Sequence, residues 1–292
     1  MICSLRTPRR WTGSRYHLKI LEVLTNNSIF LSINALIVSI FTSILYGISV
    51  DPRVALISFL LTFSVYNLNK ITDRAEDSIN RPEIVSHSTY YYLIPSVFAL
   101  FLSFFLCTLV GVEAVMVILT TFIIAFVYSI KISEKFPRLK EIVGIKSLMV
   151  ALSWGLTGSI LPACSQSVSG LKIILVFGYI FVHLLVNTIL CDVRDIDGDE
   201  VSGVTTLPIA LGLRNTRLLL LGVNSLLVPW LLLCKIMGVF TTHLPALLFG
   251  VIYGYILILV FSRKGFEKIF IDLAVDGEWI PIFLYLKILT FF

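Results

Sequence analysis

The stretch "PRVALISFLLTFSVYNLNKITDRAED", residues 52–77, joins a long apolar segment to an acidic end. Its apolar part, residues 52–72, has the ~20 residues that a helix needs to cross the hydrocarbon core of a bilayer. A helix satisfies its backbone hydrogen bonds internally, and the alternation typical of a membrane barrel strand is absent. The stretch therefore predicts a transmembrane helix whose end carries Asn69, Asp73 and Asp77.

The whole chain of 292 residues has the same character. It is 57% hydrophobic and 14% charged, with a mean hydropathy of +0.94, which excludes an ordinary soluble domain. The prediction is an all-α integral membrane protein with nine transmembrane helices, the last being the shortest. These spans are residues 28–50, 52–72, 91–110, 112–130, 143–163, 170–191, 215–234, 241–262 and 279–292.

The positive charges are distributed unevenly between the two sides of the predicted helices. Nineteen of the 23 Lys and Arg residues lie in the N-terminal segment or in the connections after the second, fourth, sixth and eighth spans. This bias predicts a multi-pass protein of the cell membrane with a cytoplasmic N-terminus. Residues 1–27 are then a basic cytoplasmic segment and residues 28–292 one membrane domain. Because orientation explains the net charge of +5, no nucleic acid partner is expected.

Two acidic clusters follow apolar spans on the same predicted side. Helical residues four positions apart drift by only about 40°, so Asn69, Asp73 and Asp77 share one face. In "CDVRDIDGDE", residues 191–200, Asp195 and Asp199 have the same spacing. A single cluster is as consistent with solvated loop acids as with a site, whereas two clusters at matching positions favour a site.

The ligand types indicate the metal. Carboxylate and amide oxygens without His or Cys suit Mg²⁺ better than zinc, and the spacing from Asp195 fails the requirements of an EF-hand loop. Mg²⁺ bridges to phosphate oxygens, and a diphosphate also needs cationic donors. A lipid-linked diphosphate would place its head at this boundary and its tail between the helices. Five cations on the same side are candidate donors: Arg74, Lys131, Lys140, Lys146 and Arg194.

Four stretches together resemble the UbiA-type superfamily of intramembrane prenyltransferases over residues ~28–292. They are the NxxxDxxxD motif at 69–77, the DxxxD motif leading into "GVTTLPIALG" (203–212), "VYSIKISEKFPRLKEIVGIKS" (127–147) and "VDGEW" (275–279). The resemblance implies nine helices around a central cavity that opens laterally to lipid. It also implies Mg²⁺-dependent transfer of a polyprenyl group from polyprenyl diphosphate to a hydrophobic or aromatic acceptor, with the active site on the cytoplasmic side.

The resemblance also assigns roles to residues. It implies that Asn69, Asp73 and Asp77 hold one Mg²⁺ and that Asp195 and Asp199 hold a second, the four aspartates being the catalytic group. It implies that Tyr128 and Lys140 contact the diphosphate, with Lys131 as the alternative to Lys140. It also allows Arg74 and Arg194 to contact phosphate oxygens. The sequence departs from the family pattern in three places. Glu83 and Ile84 stand where many members have a second basic residue. Lys70 follows Asn69, where many members have an acid, and Cys191 stands where some have a further Asp.

Some assignments and three rival functions stay open. Asn187, two turns before Asp195, lines the acceptor pocket or hydrogen-bonds between helices, and His183 in the same span fits a packing role. A transporter would place its charges near the middle of the membrane. An intramembrane terpene cyclase would use the same metals without an acceptor. A non-catalytic lipid-binding scaffold would not need Asp73.

Overall fold

The structure is a computed structural model that describes residues 24–129, 142–263, 265–266 and 268–291. Those residues fold into helices, with no strand among them, which confirms the all-α prediction. The helices are α1 (Ile29–Tyr46), α2 (Pro52–Thr72), α3 (Arg74–Asn80), α4 (Pro82–Val85), α5 (Thr89–Val110), α6 (Val112–Ser129), α7 (Ile145–Ala163), α8 (Gly170–Val201), α9 (Leu207–Ser225), α10 (Leu227–Ile236), α11 (Leu244–Phe261), α12 (Lys268–Ile271) and α13 (Trp279–Phe291). A 3₁₀ turn occupies Thr241–His243 and a π turn Asp272–Asp276.

Seven helical stretches within the described ranges are long and apolar enough to cross a membrane. They are α1, α2, α5, α7, α8, the continuous pair α9–α10, and α11 with its preceding 3₁₀ turn. The other two predicted spans are shorter, because α6 is apolar over Val112–Val127 and α13 has 13 residues. The chain is thus a multi-pass membrane protein. The count of nine spans and the cytoplasmic N-terminus remain predictions.

Local sequence sets the ends of the first two helices. Gly47 adopts a left-handed conformation (φ 71°) that ends α1 before the predicted residue 50, because glycine enters this region at no steric cost. Asp51 caps α2, since its side chain accepts a hydrogen bond from the backbone N–H of Arg53 at 2.8 Å. Pro52 occupies the first turn of α2, where its missing N–H costs nothing.

Two predicted boundaries differ substantially from the structure. The span predicted as 170–191 continues as α8 to Val201, so the acidic stretch is helical rather than a loop. The span predicted as 215–234 begins earlier, with α9 at Leu207, and the helix is kinked at Gly212 (φ 74°). In α8, polar residues continue the helix beyond its apolar part. In α9, the polar stretch 214–217 separates the apolar residues 207–213 from the span that was predicted.

The long helices pack against one another in chain order and close into a ring. Each of α1, α2, α5, α6, α7, α8, α9, α11 and α13 contacts its successor in this series, and α13 returns to contact α1. Aromatic side chains fill the junction of α1, α8 and α13, where the rings of Phe41 and Trp279 lie 5.6 Å apart. On the outside, apolar side chains such as Phe101 (72% exposed) face outward, as expected for a surface in contact with lipid.

Candidate active site

The two acidic helix ends line one polar chamber of about 230 Å³ inside the ring. Asn69, Asp73 and Asp77 come from α2, α3 and their junction. The other wall comes from α8, which contributes Asp192, Arg194, Asp195 and Asp199. The structure therefore brings together all five residues that the resemblance assigns to metal binding.

The junction of α2 and α3 keeps the first cluster on one face. Asp73 lies between the two helices with a non-helical backbone (φ −105°, ψ 17°). The backbone N–H of Asp73 nevertheless donates to the carbonyl of Asn69 at 2.8 Å, and that of Asp77 to the carbonyl of Asp73 at 2.9 Å. Since these bonds preserve the four-residue repeat, the three side chains still point into the chamber, although the helix is not continuous as predicted.

Asp77 lies in an environment that disfavours its negative charge. Burial raises the pKa of its carboxyl to about 6, and the nearby Asp73 and Asp195 add to the effect, while Arg81 partly offsets it. This is the response of carboxylates held close together in a poorly hydrated space. A divalent cation in the chamber would remove that repulsion.

The opposite wall is held against α3 by close packing at Gly198. A Cβ atom at this position would lie 2.3 Å from the side-chain nitrogen of Asn80. Only glycine therefore allows α3 and α8 to approach so closely, which sets the distance between the two acidic clusters.

We expect Gly198→Ala to separate α3 from α8 and to destabilise the protein by about 1–3 kcal/mol, the usual cost of overpacking. A lower melting temperature in detergent is the measurement. Gly222→Ala in α9 is the matched control, because its Cβ would meet no atom within 4 Å and alanine favours a helix. Equal melting temperatures for the two variants would contradict the packing role of Gly198.

Lys146 connects α7 to the acidic end of α8. Its ammonium group lies 3.0 Å from Asp192 and 3.6 Å from Asp199, and the hydroxyl of Ser147 donates to Asp192 at 2.8 Å. Asp192 is only 3% exposed, so these partners are what make its burial tolerable. Lys146 was one of the cationic donors predicted on this side, and the structure places it beside the second acidic cluster.

Arg194 forms a bidentate ion pair with the adjacent Asp195. Its Nε and Nη2 atoms donate to the two carboxylate oxygens of Asp195 at 3.0 and 2.7 Å. The remaining nitrogen, Nη1, contacts Asp272 and lies 3.9 Å from Asp276. Arg81 also donates to Asp272, at 3.0 Å. Arg194 therefore lines the chamber as predicted, with Arg81 as a second guanidinium.

Three of the charged residues at the chamber were not assigned from the sequence: Arg81, Asp272 and Asp276. Asp272 and Asp276 begin and end the π turn that precedes α13, and Asp276 lines the chamber. They repeat the four-residue spacing of the other two clusters within "DLAVD", a signal that was present in the sequence. Asp272 anchors both guanidinium groups, whereas Asp276 faces the chamber.

Other predicted residues are placed differently. The guanidinium of Arg74 donates to Thr89 Oγ1 and to the carbonyls of Val85 and His87, away from the residues that line the chamber. Lys131 and Lys140 lie outside the described residues, as does the side chain of Tyr128.

Asn187 lines the chamber and also links two helical segments, the second of which was one of its two predicted roles. It donates to the carbonyl of Val275 at 2.6 Å and lies 3.4 Å from Glu278 Oε1. Glu278 in turn lies 3.5 Å from His183 Nδ1, in keeping with the packing role predicted for that histidine.

Lys70 fastens the start of α1 to α2. Its ammonium group donates to Asn67 Oδ1 at 2.9 Å, to Ser28 Oγ at 2.6 Å and to the carbonyl of Asn26. The side chain of Asn67 adds a bond to the carbonyl of Asn27 at 3.2 Å. The lysine that departs from the family pattern thus shapes the chamber wall near Thr25 and Ser28.

A second, apolar cavity adjoins the chamber in the membrane part of the protein, and we call it the apolar channel. It is formed by α1, α2, α6 and α7, and it shares Tyr66, Asn69 and Val150 with the polar chamber. The channel reaches Ser58 on α2, eleven residues before Asn69, which at the helical rise corresponds to a length of about 16 Å. The site therefore has a charged head and an apolar extension of different chemistry.

The donor set fits Mg²⁺. No group of three His, Cys, Asp or Glu side chains converges on one point within the described ranges, because arginine and lysine pair with several of the carboxylates. Mg²⁺ does not need such a cage, since it keeps several waters and binds one or two carboxylates together with phosphate oxygens. Carboxylates on facing walls of one chamber, with an amide from Asn69, provide that kind of site.

Comparison with known proteins gives a consistent result. The sequence matches the UbiA prenyltransferase family over residues 31–269. A search of curated proteins gives no match. The fold is similar to that of a UbiA homolog from Archaeoglobus fulgidus bound to GPP and Mg²⁺, with 16% identity, a TM-score of 0.67 and coverage of 94% of this chain and 98% of that chain.

Two further structures share the fold. A UbiA homolog from Aeropyrum pernix K1 in its apo form has 16% identity and a TM-score of 0.67, over 87% of this chain and 97% of that one. A digeranylgeranylglyceryl phosphate synthase has 17% identity and a TM-score of 0.58, over 94% of each chain. At these identities the similarity establishes the fold.

Proposed function

The chain belongs to the UbiA prenyltransferase family, and on this premise we propose that it transfers a polyprenyl group from a polyprenyl diphosphate to a hydrophobic or aromatic acceptor within the membrane, using Mg²⁺. One observation carries the proposal. A chamber lined by opposed carboxylates and by cations adjoins an apolar channel, with which it shares Tyr66, Asn69 and Val150. In the related fold from Archaeoglobus fulgidus, the bound ligands are GPP with Mg²⁺ and DMAPP with Mg²⁺.

The chamber suits the head of this substrate. Asn69, Asp73 and Asp77 would hold one Mg²⁺, and Asp195 and Asp199 the other. Arg81, Lys146 and Arg194, which all line the chamber, can exchange part of their carboxylate contacts for diphosphate oxygens. Lys131, Lys140 and Tyr128 remain proposed contacts on the basis of the family resemblance, whereas the hydrogen bonds of Arg74 turn its guanidinium away from the chamber.

The reaction requires stabilisation of negative charge on the departing diphosphate. Bound Mg²⁺ supplies that stabilisation as a Lewis acid. The guanidinium and ammonium groups of the chamber add fixed positive charge at the same place. As the bond from carbon 1 of the prenyl group to the diphosphate oxygen breaks, an allylic cation develops at the chamber end of the apolar channel.

The apolar channel protects that cation from water. Its walls include Leu61, Val65 and Trp154, and the indole N–H of Trp154 donates to Tyr66 Oη at 3.0 Å. A dry environment suppresses hydrolysis, so the acceptor rather than water attacks carbon 1. The uneven distribution of Lys and Arg between the two sides of the helices supports a cytoplasmic location for this chemistry.

Two rivals make different predictions. A terpene cyclase would use the same metal site but would need no acceptor. A transporter would hold its charges near the middle of the membrane, whereas here the described acidic clusters lie at one end of the helices. The prenyltransferase is therefore the function that we propose, with the cyclase as its alternative.

The decisive experiment incubates purified protein with Mg²⁺, with geranyl, farnesyl or geranylgeranyl diphosphate, and with a panel of acceptors. The panel contains dihydroxynaphthoate, para-hydroxybenzoate, a tetrapyrrole acid and a prenylated glyceryl phosphate. Mass spectrometry should detect one adduct together with free diphosphate. A cyclised hydrocarbon without acceptor would favour the cyclase, and intact prenyl diphosphate under all conditions would contradict both.

A further inference from the structure

Asp276 differs from the other acids of the site in its depth and in its partners. It ends the π turn before α13 and lines the chamber, with a side chain that is 20% exposed. Its Oδ1 atom accepts a weak hydrogen bond from the thiol of Cys191, with a sulfur–oxygen distance of 3.5 Å. Cys191 lies one helical turn, or about 6 Å, further into the membrane than Asp195. The carboxylate of Asp276 is therefore deeper than that of Asp195.

This depth is where the reacting carbon must lie. If the diphosphate is held between the helix ends that carry Asp73 and Asp195, its prenyl tail lies in the apolar channel, which begins at Tyr66, Asn69 and Val150. Tyr66 is three residues further into the membrane than Asn69, which corresponds to about 4.5 Å along α2. Carbon 1 of the prenyl group is the atom that joins the diphosphate to the apolar tail. It would therefore lie at the level of Tyr66 on the α2 wall and of Cys191 and Asp276 on the opposite wall.

The part of the chamber beside Asp276 offers space for an acceptor. Phe30, Leu31, Leu184 and Thr188 line the chamber, as does Asn187, which donates to the carbonyl of Val275 next to Asp276. The first three side chains are apolar, and none of these residues lines the channel that would hold the prenyl tail. An acceptor here would reach carbon 1 with Asp276 close to its nucleophilic atom.

The ionic contacts of Asp276 leave its carboxylate able to accept a proton. Asp272, one turn earlier, is 8% exposed, accepts from Arg81 at 3.0 Å and also contacts Arg194. Among the described residues, the cation that pairs with Asp276 is Arg194, at 3.9 Å. Burial raises the pKa of the Asp276 carboxyl above its usual range, which makes it a stronger base than an exposed aspartate.

We propose that Asp276 is the general base that takes the proton from the acceptor during prenyl transfer. The inference rests on the proposed function. The acceptor atom bonds to carbon 1, the bond from carbon 1 to the diphosphate oxygen breaks with its electron pair leaving on the diphosphate, and the acceptor proton moves to a carboxylate oxygen of Asp276. The carboxyl then releases this proton to water at the chamber mouth.

The test separates proton transfer from substrate binding. Asp276→Asn should lower the rate of adduct formation by about 10²–10⁴-fold, the usual contribution of a positioned base. Binding of Mn²⁺ with geranylgeranyl thiolodiphosphate, an analogue that ionises poorly, should change by less than about twofold, because a base does not bind the leaving group. The acceptor used is the one that the wild-type protein prenylates in the panel above.

Further variants keep the result interpretable. Asp276→Glu should retain part of the activity, and Cys191→Asp combined with Asp276→Asn should recover part of it, since the new carboxylate would occupy the other side of the same contact. Melting temperature in detergent controls for folding.

Unchanged adduct formation in a folded Asp276→Asn protein would overturn the inference. A loss of analogue and Mn²⁺ binding in proportion to the loss of rate would also overturn it, by making Asp276 a metal or diphosphate ligand. The absence of any adduct with wild-type protein would refute the proposed function itself, and this inference with it.

Discussion

Replacing Asp73 or Asp195 by alanine is expected to lower turnover by about 10³-fold or more, because each change removes a carboxylate proposed to hold Mg²⁺ against the leaving diphosphate. The two residues lie on facing walls of one chamber. The rate of diphosphate release, measured with purified protein, is the readout. Since both act on the same leaving group, the double variant should lose little more than either single variant.

Matched controls are available near both sites. Asp197 lies on the exposed side of α8, between Asp195 and Asp199, and Glu83 is an exposed acid on α4. Asp197→Ala and Glu83→Ala should keep turnover within about threefold of wild type, as surface changes usually do. Retained activity in the folded Asp73→Ala and Asp195→Ala double variant would refute the metal role and favour a non-catalytic scaffold.

Removing divalent metal should abolish turnover and the binding of prenyl diphosphate together. Without a cation, the carboxylates of the two clusters repel a diphosphate, and the arginine and lysine side chains remain paired with them. We expect chelator-treated protein to lose activity below detection and Mg²⁺ or Mn²⁺ to restore it. Ca²⁺ should restore less, since it prefers more ligands at longer distances.

The melting temperature provides a second readout for the same treatment. Added Mg²⁺ with a prenyl diphosphate should raise it, because a ligand that binds only the folded state stabilises that state. The Asp73→Ala and Asp195→Ala double variant should show no such rise and is the control. Full turnover in the presence of excess chelator would contradict metal dependence.

Much of the fold could be predicted because a bilayer restricts the backbone to a few solutions. Apolar runs of sufficient length mark helices, and the predicted start of α2 at residue 52 agrees with the cap formed by Asp51 and Pro52. The end of α1 was predicted three residues too late, because the helix stops at the left-handed Gly47. The sequence was less informative where polar residues continue a helix. In the last ten residues of α8, Lys146 and Arg194 pair with the acids Asp192 and Asp195, and the contact from Lys146 on α7 depends on the tertiary structure.

The candidate site could be predicted in part for the same reason. Helical spacing was sufficient to place Asn69, Asp73 and Asp77 on one surface, and the bonds across the α2–α3 junction preserve that spacing. Spacing alone would put Arg74 and Arg81, seven residues apart, on the same helix face. Arg81 points inward and Arg74 away because the helix ends at Asn80 and the backbone of Arg81 is not helical (φ −144°, ψ 67°). The acids of "DLAVD" were overlooked because they lie between apolar segments and do not follow a predicted span.

The most direct test of the central claim is to locate the metal. An experimental structure with Mn²⁺ and geranylgeranyl thiolodiphosphate would show the ion by its anomalous scattering. Our account predicts metal density in contact with diphosphate oxygens between the Asp73–Asp77 and Asp195–Asp199 walls, with the tail in the channel lined by Leu61 and Trp154. Metal and diphosphate bound elsewhere, or a diphosphate held in the chamber by arginine and lysine alone, would contradict it.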